Sequence, residues 1–472
     1  MTKKAFVFID FDMSIRHFIH SGTFKELEHE YEVTYVFHAD STSDKKGIHC
    51  DWNALDLNHK LTLEIPRARM GAWDRLFCIT MLHNQRGSEN YTPIKTMLSN
   101  NARGKFRVNL YALAALPVVF QIVRKALLQK LSVHQGMLDF LNIHQPDVVF
   151  HPTILAGYYV NDLVIACNKM NIPCSLLMNS WDNPSSKAVL AAVPDALVVW
   201  GEQTKRHAIE YMRFPAERVE CFGAAQFQIY RQPVTETDKQ LREMFSVPQG
   251  KKIILYGGAS KGAHESTYLK LLDDCISDGR IPDCHVIYRP HPWRGSLGEG
   301  EVGFYDLGLK NISMDPHLED YYRRVTHQQS AAIEMADYRV TRKLLHLVDA
   351  VISPLSTILL ETIILGKPVL MYFPTKDLEG AAGLHTKISM RLIHFREFWG
   401  VEGINICTDE DKFAATATHM MKQVGDPEVT KTLLEHAGKY VEMDGPTYGE
   451  RLVKLADKLT APGRRPSHKR GK

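Results

Sequence analysis

The sequence predicts an α/β protein made of two doubly wound units, each a parallel sheet with helices on both faces. Short apolar runs alternate with stretches of helical length along most of the chain, the pattern of a parallel sheet. The alternation breaks across Arg231-Gln-Pro-Val-Thr-Glu-Thr-Asp238 and then restarts. At 472 residues the chain also exceeds what one core usually holds. The expected division is residues 1–235, residues 236–460 and a disordered basic tail over 461–472. The ligand site is expected in the cleft between the two units.

In the first unit, residues 5–9, 33–37, 148–151, 174–178 and 196–200 read as strands, because each is a short run rich in Val, Ile, Phe, Leu and Ala. Helices are expected over 118–141 and 156–170. Residues 71–142 are helix-rich and longer than a simple crossover, so they read as an insertion on one side of the first sheet. In the second unit the strands are residues 252–256, 285–288, 312–314, 350–352 and 369–372. Three helices follow at 411–424, 427–441 and 448–459, able to pack on the second unit or to cross back to the first.

Composition excludes several classes. The hydrophobic share is 44% and the charged share 24%, ordinary for a globular protein. Net charge is +3, from 57 basic and 54 acidic residues, so nothing global calls for nucleic acid. Eight scattered cysteines form no CxxC pair, which suits a reducing compartment and gives no zinc spacing. Met1-Thr-Lys-Lys-Ala-Phe-Val-Phe-Ile9 has too short an apolar run for a signal peptide. The apolar stretch at 110–123 contains Pro117 and falls short of the roughly 20 residues of a membrane span. A cytoplasmic protein is expected. The tail, with Arg464, Arg465, Lys469, Arg470 and Lys472, allows peripheral contact with the inner face of a membrane, although solvation is the simpler reading.

Three loops that follow strands of the second unit carry the candidate chemistry. The first is Tyr256-Gly257-Gly258-Ala-Ser260-Lys-Gly-Ala-His264. Its glycines let backbone approach a ligand, and the next helix start offers N–H groups to an anion, but it is neither GxGxxG nor a P-loop. In the second, Val286-Ile-Tyr-Arg289-Pro-His291-Pro-Trp-Arg294, Pro290 stops the strand and holds Arg289 and His291 at the carboxyl edge where ligands bind. The third is Ser353-Pro-Leu-Ser356-Thr357-Ile-Leu-Leu-Glu361-Thr-Ile-Ile-Leu-Gly366. Ser353 is expected as an N-cap, Pro354 in the first helical position and Gly366 as the stop. Ser356 and Thr357 then lie where a phosphate is favoured, and Glu361 about a turn later reaches a ribose hydroxyl. The competing readings are a solvated prolyl turn, a capping device and a helix-surface charge. Together the three loops supply what a nucleotide diphosphate requires.

Arg289-Pro-His-Pro, Ser353-Pro-Leu-Ser-Thr357 with Glu361, and Gly366-Lys-Pro-Val resemble the donor-site motifs of GT-B glycosyltransferases, whose fold is two Rossmann-like domains. The likeness is to bacterial surface-polysaccharide and CDP-glycerol glycerophosphotransferase-type enzymes. In the first half Asn179-Ser-Trp-Asp182-Asn183, Lys187, Val199-Trp-Gly-Glu202 and Phe222-Gly-Ala-Ala-Gln-Phe227 resemble the same group. The resemblance covers roughly 145–375. It implies that His291 holds the donor phosphate, that Ser356 and Thr357 cradle the diphosphate, and that Glu361 binds the ribose. After the first strand this chain has Asp10-Phe-Asp12-Met-Ser14-Ile-Arg16-His17 where the family commonly has glycines.

The resemblance implies an acceptor side and a general base in the first half. Asp182 leads, with amides and the aromatic Trp181 around it as a sugar platform; Asp10 and Asp12 follow, then His17 and His151. Loop capping is the alternative for each. The expected function is a metal-independent transfer of a sugar, or a glycerol phosphate, from a nucleotide-activated donor to a glycan or lipid-linked acceptor. No cofactor is expected. The alternatives are a nucleotide-sugar epimerase of the same fold and an inactive nucleotide-sugar-binding protein.

Overall fold

The computed structural model describes residues 2–38, 48, 50–66, 68–100, 104–155, 157–258, 265–291, 302–326, 337–374 and 387–463, with backbone alone at 68–72. It divides into two units. The first comprises Met1–Gln228, Leu392–His394 and Lys439–Lys472; the second comprises Ile229–Arg391 and Phe395–Gly438. The division falls near the expected boundary, but the last helix belongs to the first unit, so the expected 236–460 domain gives up its final segment.

Among the described residues the first unit holds seven strands, β1 (Lys4–Ile9), β2 (Glu32–Phe37), β3 (Lys60–Thr62), β4 (Val148–His151), β5 (Cys174–Leu177), β6 (Ala196–Val199) and β7 (Val219–Cys221). Their order is β3-β2-β1-β4-β5-β6-β7, and every pairing is parallel. β1 is buried on both faces from Ala5 to Ile9, as a central parallel strand should be. Phe8 meets Phe140 and Tyr159 edge-on, at ring distances of 5.9 and 5.3 Å. Cutting that ring back to a methyl would cost ~3–5 kcal/mol.

Between β3 and β4 the described residues form five helices, Ala68–Asn84, Tyr91–Leu98, Lys105–Ala114, Pro117–Leu131 and Gln135–His144. The first four share a small core that includes Cys78, Leu82, Ile94, Leu98, Val108, Ala115 and Phe120. The single helix expected over 118–141 is two helices, because Ser132 takes φ +48° and turns the chain. No single helix among the described residues is long and apolar enough to cross a membrane.

The final helix, Tyr448–Thr460, starts with a capping box. Thr447 Oγ accepts from Glu450 N (3.1 Å), and the Glu450 carboxylate accepts from Thr447 N (2.7 Å). Tyr448, Leu452, Leu455, Ala456 and Leu459 form one apolar stripe, and it is buried with Leu27 of the helix Lys25–Glu30 and with Val33 and Tyr35 of β2.

Among the described residues the second unit has six strands, β8 (Lys252–Gly257), β9 (Cys284–Arg289), β10 (Ile312–Met314), β11 (Ala350–Ser353), β12 (Val369–Tyr372) and β13 (Ile404–Cys407). Their order is β10-β9-β8-β11-β12-β13, again all parallel. Both units are therefore doubly wound, with the same succession outward from their first strand.

Candidate functional site at two sheet edges

Each sheet reverses its winding once, between β1 and β4 in the first unit and between β8 and β11 in the second. Loops on either side of such a reversal leave in opposite directions and open a crevice at the carboxyl edge.

In the second unit that edge is made of small groups. Ser353, the last residue of β11, donates its hydroxyl to Gly257 O at the end of β8 (2.8 Å). Ser353 is therefore a brace across the reversal and not the expected helix cap. The helix begins later, at Ile358 with Thr357 at its N-cap, so Pro354 lies outside it, and Gly366 follows its end with φ +66°. Thr357 is exposed and Ser356 half-buried. Gly258 N donates to Arg289 O (2.8 Å). A Cβ on Gly258 would lie 2.8 Å from Glu265 Oε1 and 3.0 Å from His291 N, so a side chain there would close the gap between these loops.

The predicted donor residues take distinct places. Arg289 is 8% exposed. Its Nε donates to Asp315 Oδ2 (2.7 Å) and its Nη1 to Thr341 Oγ (3.0 Å). Burial would raise the Asp315 carboxyl, but Arg289 and His317 outweigh it and hold it low. Arg289 thus braces the turn, and its charge is largely answered inside the unit. Among the described residues its Nη2 is buried without a hydrogen-bond partner. His291 is half-buried just past β9. Glu361 is buried and accepts from the Tyr230 hydroxyl (2.5 Å). Ser260 lies outside the described residues.

Sequence reading missed Glu265. It opens the helix Glu265–Ser277, is 1% exposed and accepts from the Tyr288 hydroxyl (2.5 Å). Its buried carboxylate competes with a phosphate for that helix start.

In the first unit the reversal is flanked by an acid and an imidazole. Asp10 follows β1 and His151 ends β4; both are fully buried, with Asp10 Oδ1 3.9 Å from His151 Nε2. Neither of these two atoms has a hydrogen-bond partner among the described residues. His151 Nδ1 donates to Phe8 O (2.7 Å), which fixes the ring and leaves Nε2 facing the carboxyl. Asp10 Oδ2 accepts from Tyr159 N (3.3 Å). Burial pushes the Asp10 carboxyl above its ordinary range, although His151 and the N–H groups of Tyr159 and Tyr158 pull it down. Gly157 covers the carboxylate so closely that a Cβ would sit 2.4 Å from Oδ2.

Neighbouring loops are tied to this edge. Ser14 donates to Pro152 O (3.2 Å), Thr153 to Asn179 Oδ1 (3.3 Å), and His17 Nδ1 to Asn179 O (3.1 Å). Burial, then the Arg16 charge, pushes His17 down to about 3. Asp12 accepts from Cys50 N (3.3 Å).

Asp182 has different surroundings. Its carboxylate is 2.5 Å from Lys187 Nζ and accepts from Asn183 Nδ2 (3.1 Å). Burial acts to raise it, but Lys187 and His394 prevail and hold it below the usual carboxylate range. Trp181 is 1% exposed and packs edge-on against His394 and Tyr440, so it is core and not the expected sugar platform. His394, which nothing near Asp182 in the sequence announces, hydrogen-bonds Ser185 through Nδ1 (2.8 Å).

No protein-family model matches this chain, and no curated protein sequence matches it. Solved structures do. A Listeria monocytogenes protein assigned as a UDP-N-acetylglucosamine 2-epimerase is similar at 11% identity and TM-score 0.54, over 99% of both chains. A UDP-GlcNAc 2-epimerase from Neisseria meningitidis, bound to UDP-GlcNAc, is similar at 12% identity and TM-score 0.50, over 97% of this chain and all of that one. The wall teichoic acid polymerase TagF is similar at 11% identity and TM-score 0.47, over 97% of this chain and 89% of that one, which is too loose to argue from. At such identities the likeness is one of fold: two doubly wound α/β units of the GT-B kind.

Proposed function

We propose that this chain is a nucleotide-sugar-dependent glycosyltransferase, moving a sugar or a glycerol phosphate from a nucleotide-activated donor to a surface-glycan or lipid-linked acceptor. The observation that carries the reading is the edge of small residues at the β8–β11 reversal. There Gly257 and the bracing Ser353 end adjacent strands, and Gly258, His291, Ser356 and Thr357 follow on the loops of that edge. In this reading Ser356 and Thr357 bind the phosphates, His291 faces the charge that develops on the leaving phosphate, and Glu361 takes the ribose. Arg289 positions the turn that carries His291.

In the first unit, Asp10 with His151 is the favoured proton acceptor, because a raised carboxyl is a stronger base than the ion-paired Asp182. The acceptor oxygen forms the new bond to the transferred group as the bond to the donor phosphate breaks. The hydroxyl proton goes to the base, and the electron pair goes to the leaving nucleotide. Reaching Asp10 requires the backbone at Gly157 to give way.

A second reading, a nucleotide-sugar epimerase, is favoured by the same Asp10–His151 pair, which puts an acid and a base on one edge. It also draws on the titles of the Listeria and Neisseria structures. The deciding experiment incubates the chain with UDP-GlcNAc or CDP-glycerol, with and without a glycan acceptor, and follows products by NMR. Conversion without acceptor selects the epimerase. Acceptor-dependent nucleotide release selects the transferase. Tight binding with no turnover leaves a binding protein, and no binding of any nucleotide sinks all three.

A further inference from the structure

The helices Lys105–Ala114 and Pro117–Leu131 expose more apolar surface than a water-facing element needs. Phe106 is 79% exposed, Leu113 60%, Val118 77% and Ile122 68%, and Leu110 and Val119 lie open between them. A patch of this size on a globular surface marks a binding face. The opposite faces are already used: Val108, Ala115 and Phe120 belong to the insertion core. His83 stacks on Phe120 at 3.7 Å and donates to Ala115 O (3.0 Å), which holds the pair of helices on the unit. The outward side chains are therefore surplus to folding.

Charge identifies the occupant. From residue 90 to residue 138 there is no Asp or Glu, but there are seven basic residues, Lys95, Arg103, Lys105, Arg107, Arg124, Lys125 and Lys130. Lys105, Arg107 and Lys125 are exposed beside the apolar side chains. The two helices meet at 100°, so they form no straight span, and a bent pair with one apolar and one basic side suits the plane of a bilayer interface. A second copy of this chain would bring these unopposed positive charges against themselves. We infer that Phe106, Leu110, Leu113, Val118 and Ile122 dock into the interface of an anionic phospholipid bilayer while Lys105, Arg107 and Lys125 meet its headgroups. This inference is independent of the reaction proposed above.

The test uses the full chain and extruded vesicles of phosphatidylcholine, alone or with about one-third phosphatidylglycerol, a charge comparable to anionic leaflets. The chain is expected to sediment with the anionic vesicles, more weakly with neutral ones, and less in high salt. Phe106→Ser/Leu113→Ser/Ile122→Ser should weaken partition at least roughly a hundredfold, because three buried apolar side chains are lost. It should keep the wild-type melting temperature, since all three are exposed. Lys105→Gln/Arg107→Gln/Lys125→Gln should abolish the preference for anionic vesicles, and it decides the matter should the apolar variant misfold. Equal binding by the variants, or no sedimentation of the wild type, overturns the inference. So does a wild-type dimer that the apolar variant breaks while no vesicle binds, because the occupant is then a second copy.

Discussion

The two sheet reversals have the same strand succession and opposite chemistry. Between β8 and β11 the edge is lined by Gly257, Gly258 and a serine that braces backbone to backbone. Between β1 and β4 the equivalent edge holds Asp10 and His151, with Oδ1 and Nε2 buried, facing and unsatisfied. A buried polar atom without a partner costs roughly 1–3 kcal/mol, and more when charged. A fold keeps such an atom where function needs it. In the proposed reading the glycine edge receives the donor phosphates and the Asp10–His151 edge handles the proton. That reading assigns binding and proton chemistry to the same topological point of two sheets.

The largest effect that can break this division is expected from His291→Ala. Loss of transfer with an unchanged fold would keep the second unit as the donor side, because the residue lies on a turn outside the core. Activity near the wild-type level would remove it. Asp10→Asn comes next. Turnover should fall by roughly a hundredfold or more, the usual scale for a lost general base, while nucleotide binding measured by calorimetry stays the same. If affinity falls and turnover at saturation does not, the two edges do not divide the work. Ser356→Ala/Thr357→Ala should act the other way, on affinity. Each hydroxyl bonded to a charged phosphate contributes roughly 1.5–3 kcal/mol. The double variant should therefore bind a nucleoside diphosphate roughly a few hundredfold more weakly, and the bare nucleoside as before. A lower melting temperature with unchanged affinity would mark a purely structural pair.

Much of the scaffold was legible, because parallel strands buried on both faces are runs of Val, Ile, Phe and Leu that stand out from their flanks. The strands that were missed are short: β3 is Lys-Leu-Thr, β7 is Val-Glu-Cys, and β13 is Ile-Asn-Ile-Cys. A partner strand defines them, and a local pattern does not. The break at Ser132 escaped because serine rarely takes positive φ and nothing else in that stretch interrupts a helix. At the edges, the loops and their residue types could be read but their pairings could not. Asp10 and His151 lie 141 positions apart and meet only because β4 docks beside β1. Ser353 and Gly257 meet for the same reason. Asp182 looked the stronger base because its neighbours in sequence are polar; Lys187 and His394, which weaken it, act through space.

The smallest effect separates Asp10 and Asp182 most directly, because the two carboxyls should shift stability with pH in opposite senses. Both have an ordinary value of 3.8. The folded Asp10 carboxyl is raised, so its favourable contribution is complete below 3.8 and is lost as pH climbs through the folded value. Asp10→Asn keeps an acceptor for Tyr159 N and has no charge to bury. Its melting temperature should equal or exceed the wild type at pH 7–8 by a few degrees, and the gap should close towards acid. The folded Asp182 carboxyl is lowered, so its contribution is present above 3.8 and is lost as pH falls through the folded value. Asp182→Asn loses the ion pair to the half-exposed Lys187, so it should melt below the wild type at neutral pH, with the deficit shrinking below about pH 4. Melting curves of the three proteins from pH 8 to pH 3 measure both trends at once. Parallel curves for the two variants would mean that the carboxyls share one environment, and the assignment of proton chemistry to Asp10 over Asp182 would lose its basis.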